Sequence, residues 1–239
     1  LPMKIRSYVA SVEGRWGTCY YIKDDEYVGR SIKNYGEYNP DETEFLLALA
    51  AERPDSLVLD IGANIGVMAQ ALKASGYRVE AFEPQKAVYD ILCLNFNGAA
   101  HNCALGASAG TAYMPKQVYH ARGNFGGCSL GSGDVAVEVR TLDSFEYADI
   151  GVIKLDVEGF EEQVLRGGVE TIAHCRPLIY LEADRVEKIP ALKAYVAELG
   201  YSWEEHKPLL YRHENYFSKH VNVWAPMNYA SHNVLCRPL

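Results

Sequence analysis

Acidic residues at the ends of short apolar segments are the first candidates for chemistry in this sequence. Asp60, Glu83, Asp156 and Glu182 each end or directly follow such a segment, and Glu158 comes two residues after Asp156. A carboxylate can accept hydrogen bonds from hydroxyl groups, pair with an ammonium group or receive a proton during a reaction. Asp156, Glu158 and Glu182 are therefore candidate catalytic residues that converge on one mouth, and Asp60 and Glu83 are candidate ligand-binding residues.

A glycine-containing turn follows the first of these segments, with the sequence Asp60-Ile61-Gly62-Ala63-Asn64-Ile65-Gly66. Glycine permits close approach of the backbone to a ligand, and a helix that begins after such a turn offers free N–H groups to an anion. The turn therefore predicts a cofactor pocket formed by Asp60, Gly62, Asn64 and Gly66. Tight packing between strand and helix is the alternative explanation of the two glycines.

Two classes of cofactor compete for this pocket. A nicotinamide dinucleotide is typically bound by G-x-G-x-x-G, whose backbone cradles the pyrophosphate. Here Asn64 stands where the middle glycine should be, and Asp60 would repel a pyrophosphate. S-adenosyl-L-methionine (SAM) has a cationic amino group and no phosphate, so it suits the turn better. Glu83, about 20 residues further on, could accept both ribose hydroxyls of either cofactor.

Alternating strand-like and helix-like segments from residue 55 onward predict the framework that positions these residues. This alternation is typical of an α/β domain with a mostly parallel sheet, which binds ligands at the carboxyl ends of its strands. A single continuous helix with Val164, Leu165 and Ile172 on one face is predicted after the fourth strand. The five predicted strands are residues 57–61, 78–83, 101–105, 152–157 and 178–182.

The first part of the chain departs from this alternation. Residues 1–54 begin with short strand-like pieces and end in a helix for which Asn39 is the predicted N-cap and Pro40 the first residue. We predict that residues 1–54 form an extension packed on a single globular domain, residues 55–239.

Two later regions also depart from it. Residues 111–140 are rich in glycine, which is unfavourable inside a helix or strand, and predict a mobile flap over the site. Four tyrosines could line an acceptor pocket or simply pack: Tyr35, Tyr38, Tyr211 and Tyr216. The tail is predicted to close the sheet with antiparallel strands at 201–207, 221–224 and 233–236.

Composition and charge exclude several classes of partner. The 239 residues include 31 acidic and 23 basic ones, a net charge of −8, without a basic run that could follow nucleic-acid phosphates. The longest apolar stretch has seven residues, far below the roughly 20 of a spanning helix. Scattered cysteines and the absence of an apolar signal segment predict a cytoplasmic protein. We expect a small-molecule partner, no nucleic acid, no membrane and no resident metal; the oligomeric state is not predicted.

Several motifs, in order along the chain, resemble those of the FkbM-type methyltransferase family. The most specific runs from Ile153 to Glu161, Ile153-Lys154-Leu155-Asp156-Val157-Glu158-Gly159-Phe160-Glu161. The ordered match covers about residues 30–185 and includes 57–66, 81–84, Asn95, Asn97, 102–106, 141–144 and 164–167. The resemblance implies a class I, Rossmann-like α/β fold with a mostly parallel seven-stranded sheet, helices on both faces, SAM as cofactor and usually O-methylation.

The same resemblance implies roles for individual residues. Four residues of the turn would surround the methionine part of SAM: Asp60, Gly62, Asn64 and Gly66. Glu83 would bind the ribose, and Asn102 with Ala104 would contact the adenine edge. The segment 123–130 only approximates the glycine-rich loop of the family, and the residues after Asp184 contribute nothing to the match.

The combined prediction is a SAM-dependent methyltransferase that acts on a hydroxyl group of a small-molecule or sugar acceptor. Because an alcohol is a poor nucleophile, a side chain should take its proton. Asp156 is the first choice and His120, on the predicted flap, the second. Asp156 could instead only position the methionine amino group, and the carboxylates could hold a divalent cation that acidifies the alcohol.

Three further alternatives remain open from the sequence. Lys154 and Glu158 could form a structural ion pair or a helix-capping set. The whole chain could be a nucleotide-dependent oxidoreductase of the NAD type, or a SAM-binding module without catalysis.

Overall fold

The structure is a computed structural model that describes residues 6–225, 229 and 231–239, so residues 1–5 of the predicted extension lie outside the described residues. The strands are β1 (Val9–Gly14), β2 (Gly17–Ile22), β3 (Leu57–Ile61), β4 (Arg78–Phe82), β5 (Ala99–His101), β6 (Ala104–Leu105), β7 (Gly110–Met114), β8 (Val135–Arg140), β9 (Ile150–Leu155), β10 (Leu178–Glu182), β11 (Glu204–His206) and β12 (Asn233–Cys236). The helices are α1 (Val28–Tyr35), α2 (Pro40–Ala51), α3 (Val67–Ala74), α4 (Lys86–Asn95), α5 (Glu161–Arg166), α6 (Val169–Cys175) and α7 (Ile189–Glu198).

A seven-stranded sheet in the order β11-β12-β10-β9-β3-β4-β5 forms the centre of the molecule. The five strands from β10 to β5 are parallel, and β12 runs antiparallel to both of its neighbours. Starting from β3, the chain adds β4 and then β5 on one side. It adds β9 and then β10 on the other side, so the strand order reverses between β3 and β9. The predicted mostly parallel α/β sheet is confirmed, and a crevice is expected at this reversal point.

Helices cover both faces of the sheet because its inner strands are apolar on both sides. Every residue of β3 and β9 is buried. Leu59 of β3 packs in the core layer that includes α5, α6 and α7, whereas the next residue back, Val58, packs in the layer of α2, α3 and α4. Side chains alternate between the faces of a strand, so one strand serves both layers.

The N-terminal hairpin of β1 and β2 packs with α1 against α3 and α4. Asn95, at the end of α4, ties this hairpin to the glycine turn. Its side chain bonds the backbone N–H and carbonyl of Tyr20 and also donates to the carbonyl of Ile65, at 2.7 Å. Asn39 is the N-cap of α2 and Pro40 its first residue, as predicted, but Asn39 lies in the left-handed region (φ 43°) and its side chain makes no capping hydrogen bond.

Three predicted elements differ from the structure. The strand predicted at 101–105 is divided between β5 of the main sheet and β6, which pairs with β8 in a separate three-stranded sheet. The long helix after β9 is two short helices, and between them Gly167 packs so close to Gly106 that a Cβ would lie 2.0 Å from its carbonyl oxygen. Residues 221–224 form no strand; instead Trp224 is buried and stacks on Tyr27.

No helix in the described part of the chain combines the length and apolar character required to cross a bilayer.

Candidate active site

A cavity of about 380 Å³ opens at the carboxyl ends of β3, β4, β9 and β10. Its walls combine apolar side chains with a row of carboxylates, and its cover comes from the loop between β7 and β8. Its lining includes Tyr27, Tyr38, Gly62, Asn64, Phe82, Glu83, Ala104, Leu105, Asn124, Cys128, Leu130, Asp156, Glu158, Glu182, Asp184 and Arg185. The size lies within the roughly 300–1,000 Å³ of small-molecule sites.

The two glycines of the turn have different surroundings. Both have positive φ, 81° at Gly62 and 82° at Gly66. A Cβ at Gly62 would lie 1.7 Å from the carbonyl oxygen of Asp156, so only glycine lets β3 and β9 end so close together. Gly62 also lines the cavity, but Gly66 does not; its absent side chain makes room for Leu92 of α4. For Gly66 the structure therefore fits the packing explanation.

Asp60 does not reach the main cavity. Its side chain is fully buried and borders a second, smaller cavity of about 50 Å³ next to the turn. Asn64 and Asp156 line both cavities, so the buried Asp60 lies one layer behind the surface that a ligand would contact.

Glu83 follows β4 directly and is held by two backbone amides. Its Oε2 accepts the N–H of Asn64 at 3.1 Å, and its Oε1 accepts the N–H of Gln85 at 2.7 Å. Burial raises the pKa of Glu83 to about 7, although both amides favour the charged form. Asn102 is not part of the lining; its side chain donates to the carbonyls of Glu83 and Pro84 and so fixes this turn from behind.

Asp156, Glu158 and Glu182 come together as expected from the strand ends. One carboxylate oxygen from each lies within 4.8 Å of the others. Residues 155 and 181 are paired in the parallel register of β9 and β10, which sets Asp156 and Glu182 side by side. Glu158 has φ 56°, and its turn is held by Glu161, whose Oε1 accepts the N–H groups of Val157 and Gly159.

The electrostatics of this acidic cluster follow from burial and repulsion between like charges. Burial, then the charge of Asp156, raises the pKa of Glu158 to about 7 against the opposing effect of Arg185. Burial and the neighbouring carboxylates also raise the pKa of Glu182 well above its usual range. Arg185 pairs with Glu158 and, at 3.0 Å, with Asp184.

Lys154 pairs with different partners from those considered in the sequence. Its Nζ lies 3.4 Å from Oδ1 of Asp60 and 3.3 Å from Oδ2 of Asp156, whereas Glu158 pairs with Arg185. The alternative of a Lys154–Glu158 ion pair was wrong, because Glu158 lies on the turn beyond β9 and pairs with Arg185, which follows β10.

The loop of residues 115–134 covers the cavity. The predicted flap of 111–140 is shorter than expected, since β7 and β8 occupy its two ends. Phe125 is buried and its carbonyl accepts a hydrogen bond from Nε2 of Gln85 at 2.9 Å. Ser129 Oγ donates to the carbonyl of Glu158 at 2.9 Å. These contacts hold the loop against the ends of β4 and β9.

His120 is not among the residues that line the cavity. It is exposed and packs edge-on against Tyr8, with ring centroids 5.2 Å apart. Its neighbour Tyr119 instead packs inward on Phe125. His120 is therefore poorly placed to take the proton of an acceptor hydroxyl, the role for which it was the second choice.

Sequence reasoning missed several lining residues, among them Tyr27, Asp184 and Arg185. Tyr27 precedes α1 in the N-terminal region, where no motif pointed to a site. Asp184 and Arg185 follow β10 directly, and this position at a strand end was a signal that could have found them. Of the four candidate tyrosines only Tyr38 lines the cavity, and Tyr35 is buried with Trp224 and Leu210 in a separate cluster.

Comparisons with known proteins relate the sequence and the fold to one family. The family model for the methyltransferase FkbM domain matches residues 60–203. The solved structure of methyltransferase FkbM from Methylobacillus flagellatus KT is similar with a TM-score of 0.50 and 18% sequence identity, over 76% of this chain and 43% of that one. This chain thus spans less than half the length of the Methylobacillus protein.

Two other solved structures have lower TM-scores. Precorrin-6y C5,15-methyltransferase from Geobacter metallireducens GS-15 gives 0.47 at 11% identity, over 82% of this chain and 87% of that one. An rRNA methylase from Streptococcus thermophilus gives a TM-score of 0.48 at 12% sequence identity, over 82% of this chain and 95% of that one. No curated protein sequence matches the chain significantly.

Proposed function

Because the chain belongs to the FkbM methyltransferase family, we propose that it transfers a methyl group from SAM to a hydroxyl group of a small-molecule or sugar acceptor. SAM is the cofactor that this membership indicates. The observation that carries the proposal is a single cavity with Glu83 on one side and the cluster of Asp156, Glu158 and Glu182 on another.

The residues of the cavity fit SAM chemically. Glu83 offers a carboxylate to the ribose hydroxyls, and its position is fixed by two backbone amides. Phe82, Leu105 and Leu130 provide apolar surface for the adenine ring. Asn102, which does not line the cavity, would act through the turn that it supports.

An acidic mouth favours an uncharged acceptor over a nucleic acid. Asp156, Glu158, Glu182 and Asp184 all line the cavity, and among the described residues of the lining Arg185 is the only basic one. Together with the net charge of −8, these carboxylates repel phosphate groups. Hydroxyl groups, in contrast, are good hydrogen-bond donors to carboxylates.

When bound, SAM supplies a methyl group on a sulfonium centre, which is already a good electrophile and leaving group. The chain must then align the acceptor oxygen and receive its proton. Asp156 is the proposed proton acceptor, because its side chain is 38% exposed at the reversal point of the sheet and Lys154 orients it. Glu158 and Glu182 would bind the acceptor hydroxyl beside it.

Transfer of label from methyl-labelled SAM to a panel of sugars and small hydroxylated compounds tests the proposal. Asp156→Asn should keep SAM affinity within about threefold and lower kcat by about 10²–10⁴-fold on the acceptor found. Asp149→Asn makes the same change just before β9, at the opposite end of the strand, and should leave kcat unchanged. SAM binding without labelled product from any acceptor would instead favour a non-catalytic binding module.

A further inference from the structure

The acidic cluster of Asp156, Glu158 and Glu182 has the dimensions of a cation site. One oxygen from each residue lies within 4.8 Å of the other two. Oxygen ligands lie about 2.0–2.6 Å from Mg²⁺ or Ca²⁺, so two oxygens on the same ion are at most about 5 Å apart. The three oxygens therefore lie at separations that one divalent cation can bridge, and they come from two strand ends fixed by the central sheet.

Glu182 provides a second, independent observation. Its Oε2 is closed off from solvent and has no hydrogen-bond partner among the residues that the structure describes. Asp156 has Lys154 as a partner and Glu158 has Arg185, so the cations already present serve the other two members. A buried carboxylate oxygen without a donor is costly unless a ligand satisfies it.

Charge balance points the same way. Lys154 is shared between Asp156 and the buried Asp60, and Arg185 is shared between Glu158 and Asp184. The two basic side chains thus face four paired carboxylates, and Glu182 adds a fifth carboxyl group. Additional positive charge at this point would relieve repulsion within the cluster.

We propose that Asp156, Glu158 and Glu182 bind one divalent cation with a preference for oxygen ligands, such as Mg²⁺, Mn²⁺ or Ca²⁺. Three protein oxygens leave further positions of the cation for water or for oxygens of an acceptor. Binding of the cation does not depend on the proposed function, but its role does. A cation beside the acceptor hydroxyl would make that group more acidic. Each residue contributes one oxygen, so Asp156 keeps a second oxygen for the released proton.

Titration of the full chain with Mn²⁺ alone, followed by calorimetry and electron paramagnetic resonance, tests the site. The wild-type chain should bind one equivalent saturably. Glu182→Gln removes one ligand and should weaken Mn²⁺ binding at least tenfold. Even the loss of a residue that only hydrogen-bonds to a metal ligand lowers metal affinity by about 10–100-fold. Glu187→Gln removes an exposed carboxylate near Asp184 and should stay within about twofold of wild type. Circular dichroism checks that both variants are folded.

The proposal is overturned if the wild-type chain binds no Mn²⁺ or Ca²⁺ saturably up to about 10 mM, beyond the 10⁻⁴–10⁻³ M of weak calcium sites. Equal affinity of Glu182→Gln and wild type, or equal weakening by Glu187→Gln, would overturn it as well. A SAM titration of the same samples separates the two hypotheses. SAM binding without cation binding refutes only the cation site, and absence of SAM binding refutes the proposed function while the Mn²⁺ result stands.

Discussion

Lys154 and Asp60 form an ion pair inside the central sheet, with Nζ and Oδ1 3.4 Å apart and side chains 5% and 0% exposed. The two residues are register partners on the adjacent strands β9 and β3. Burial opposes the charge of Lys154, but the nearby carboxylates of Asp156, Asp60 and Glu42 outweigh it and raise the pKa of Lys154. The pair thus connects the glycine turn to the carboxylate cluster and keeps a fixed positive charge next to Asp156.

Replacement of Lys154 by Met should lower the free energy of unfolding by about 3–5 kcal/mol, because it leaves a buried carboxylate without its partner. Asp60→Asn in the same chain should recover part of this loss. Urea denaturation of the two single variants and the double variant measures both effects. A loss below about 1 kcal/mol for Lys154→Met would show that the Lys154–Asp60 ion pair contributes little to the stability of the folded chain.

Gly62 and Gly76 offer a matched comparison of backbone strain and steric overlap. Both have positive φ, 81° and 93°, but a Cβ at Gly62 would strike the carbonyl of Asp156 while nothing lies within 4 Å of one at Gly76. Gly76→Ala should cost about 1–2 kcal/mol from the left-handed conformation alone. Gly62→Ala should cost about 2–4 kcal/mol more, measured by thermal or urea unfolding. Equal losses would mean that β3 and β9 can separate freely at this point.

The loop of residues 115–134 should become ordered when SAM binds. It holds several glycines, and its contacts at Phe125 and Ser129 lie at the ends of β4 and β9, where SAM would bind. Ordering such a segment is costly, so it should accompany ligand contacts made by Asn124, Cys128 and Leu130. Hydrogen exchange should slow in this loop on addition of SAM and stay unchanged in β3. Identical exchange of the loop with and without SAM would contradict its role as a cover.

The affinity for SAM should depend on pH through Glu83. The pKa of this residue is raised to about 7 by burial, and a carboxylate that accepts ribose hydroxyls must be ionised. Affinity should therefore rise by about tenfold between pH 6 and pH 8 as Glu83 loses its proton. Glu83→Gln cannot ionise, so calorimetry over this range should give a flatter profile. Parallel profiles for the two proteins would assign the pH dependence to another group, such as Glu42 or SAM itself.

The sequence allowed the sheet and the strand-end carboxylates to be predicted for one physical reason. Parallel strands buried on both faces, such as β3 and β9, are continuous apolar segments, and a charged residue marks where each one ends. Glu83, Asp156 and Glu182 could therefore be assigned to one edge of the sheet from the sequence alone.

Features that depend on contacts distant in sequence were not predictable in this way. The break between α5 and α6 lies where Gly167 packs against the carbonyl of Gly106, some sixty residues earlier in the chain. Lys154 and Asp156 are two residues apart and belong to one strand end, but the second partner of Lys154, Asp60, comes from another strand. The outward position of His120 depends on the path of a loop, for which no periodicity exists.

The central claim is that this chain binds SAM with Glu83 as the ribose ligand, and calorimetric titration of wild type and Glu83→Ala with SAM tests it most directly. We predict one saturable site in the wild type, a loss of about 2–3 kcal/mol in Glu83→Ala, which is roughly 30–150-fold in Kd, and no such loss in the exposed control Glu138→Ala. We also predict no saturable binding of NAD. Unchanged SAM affinity in a folded Glu83→Ala protein, or saturable binding of NAD without binding of SAM, would contradict the account.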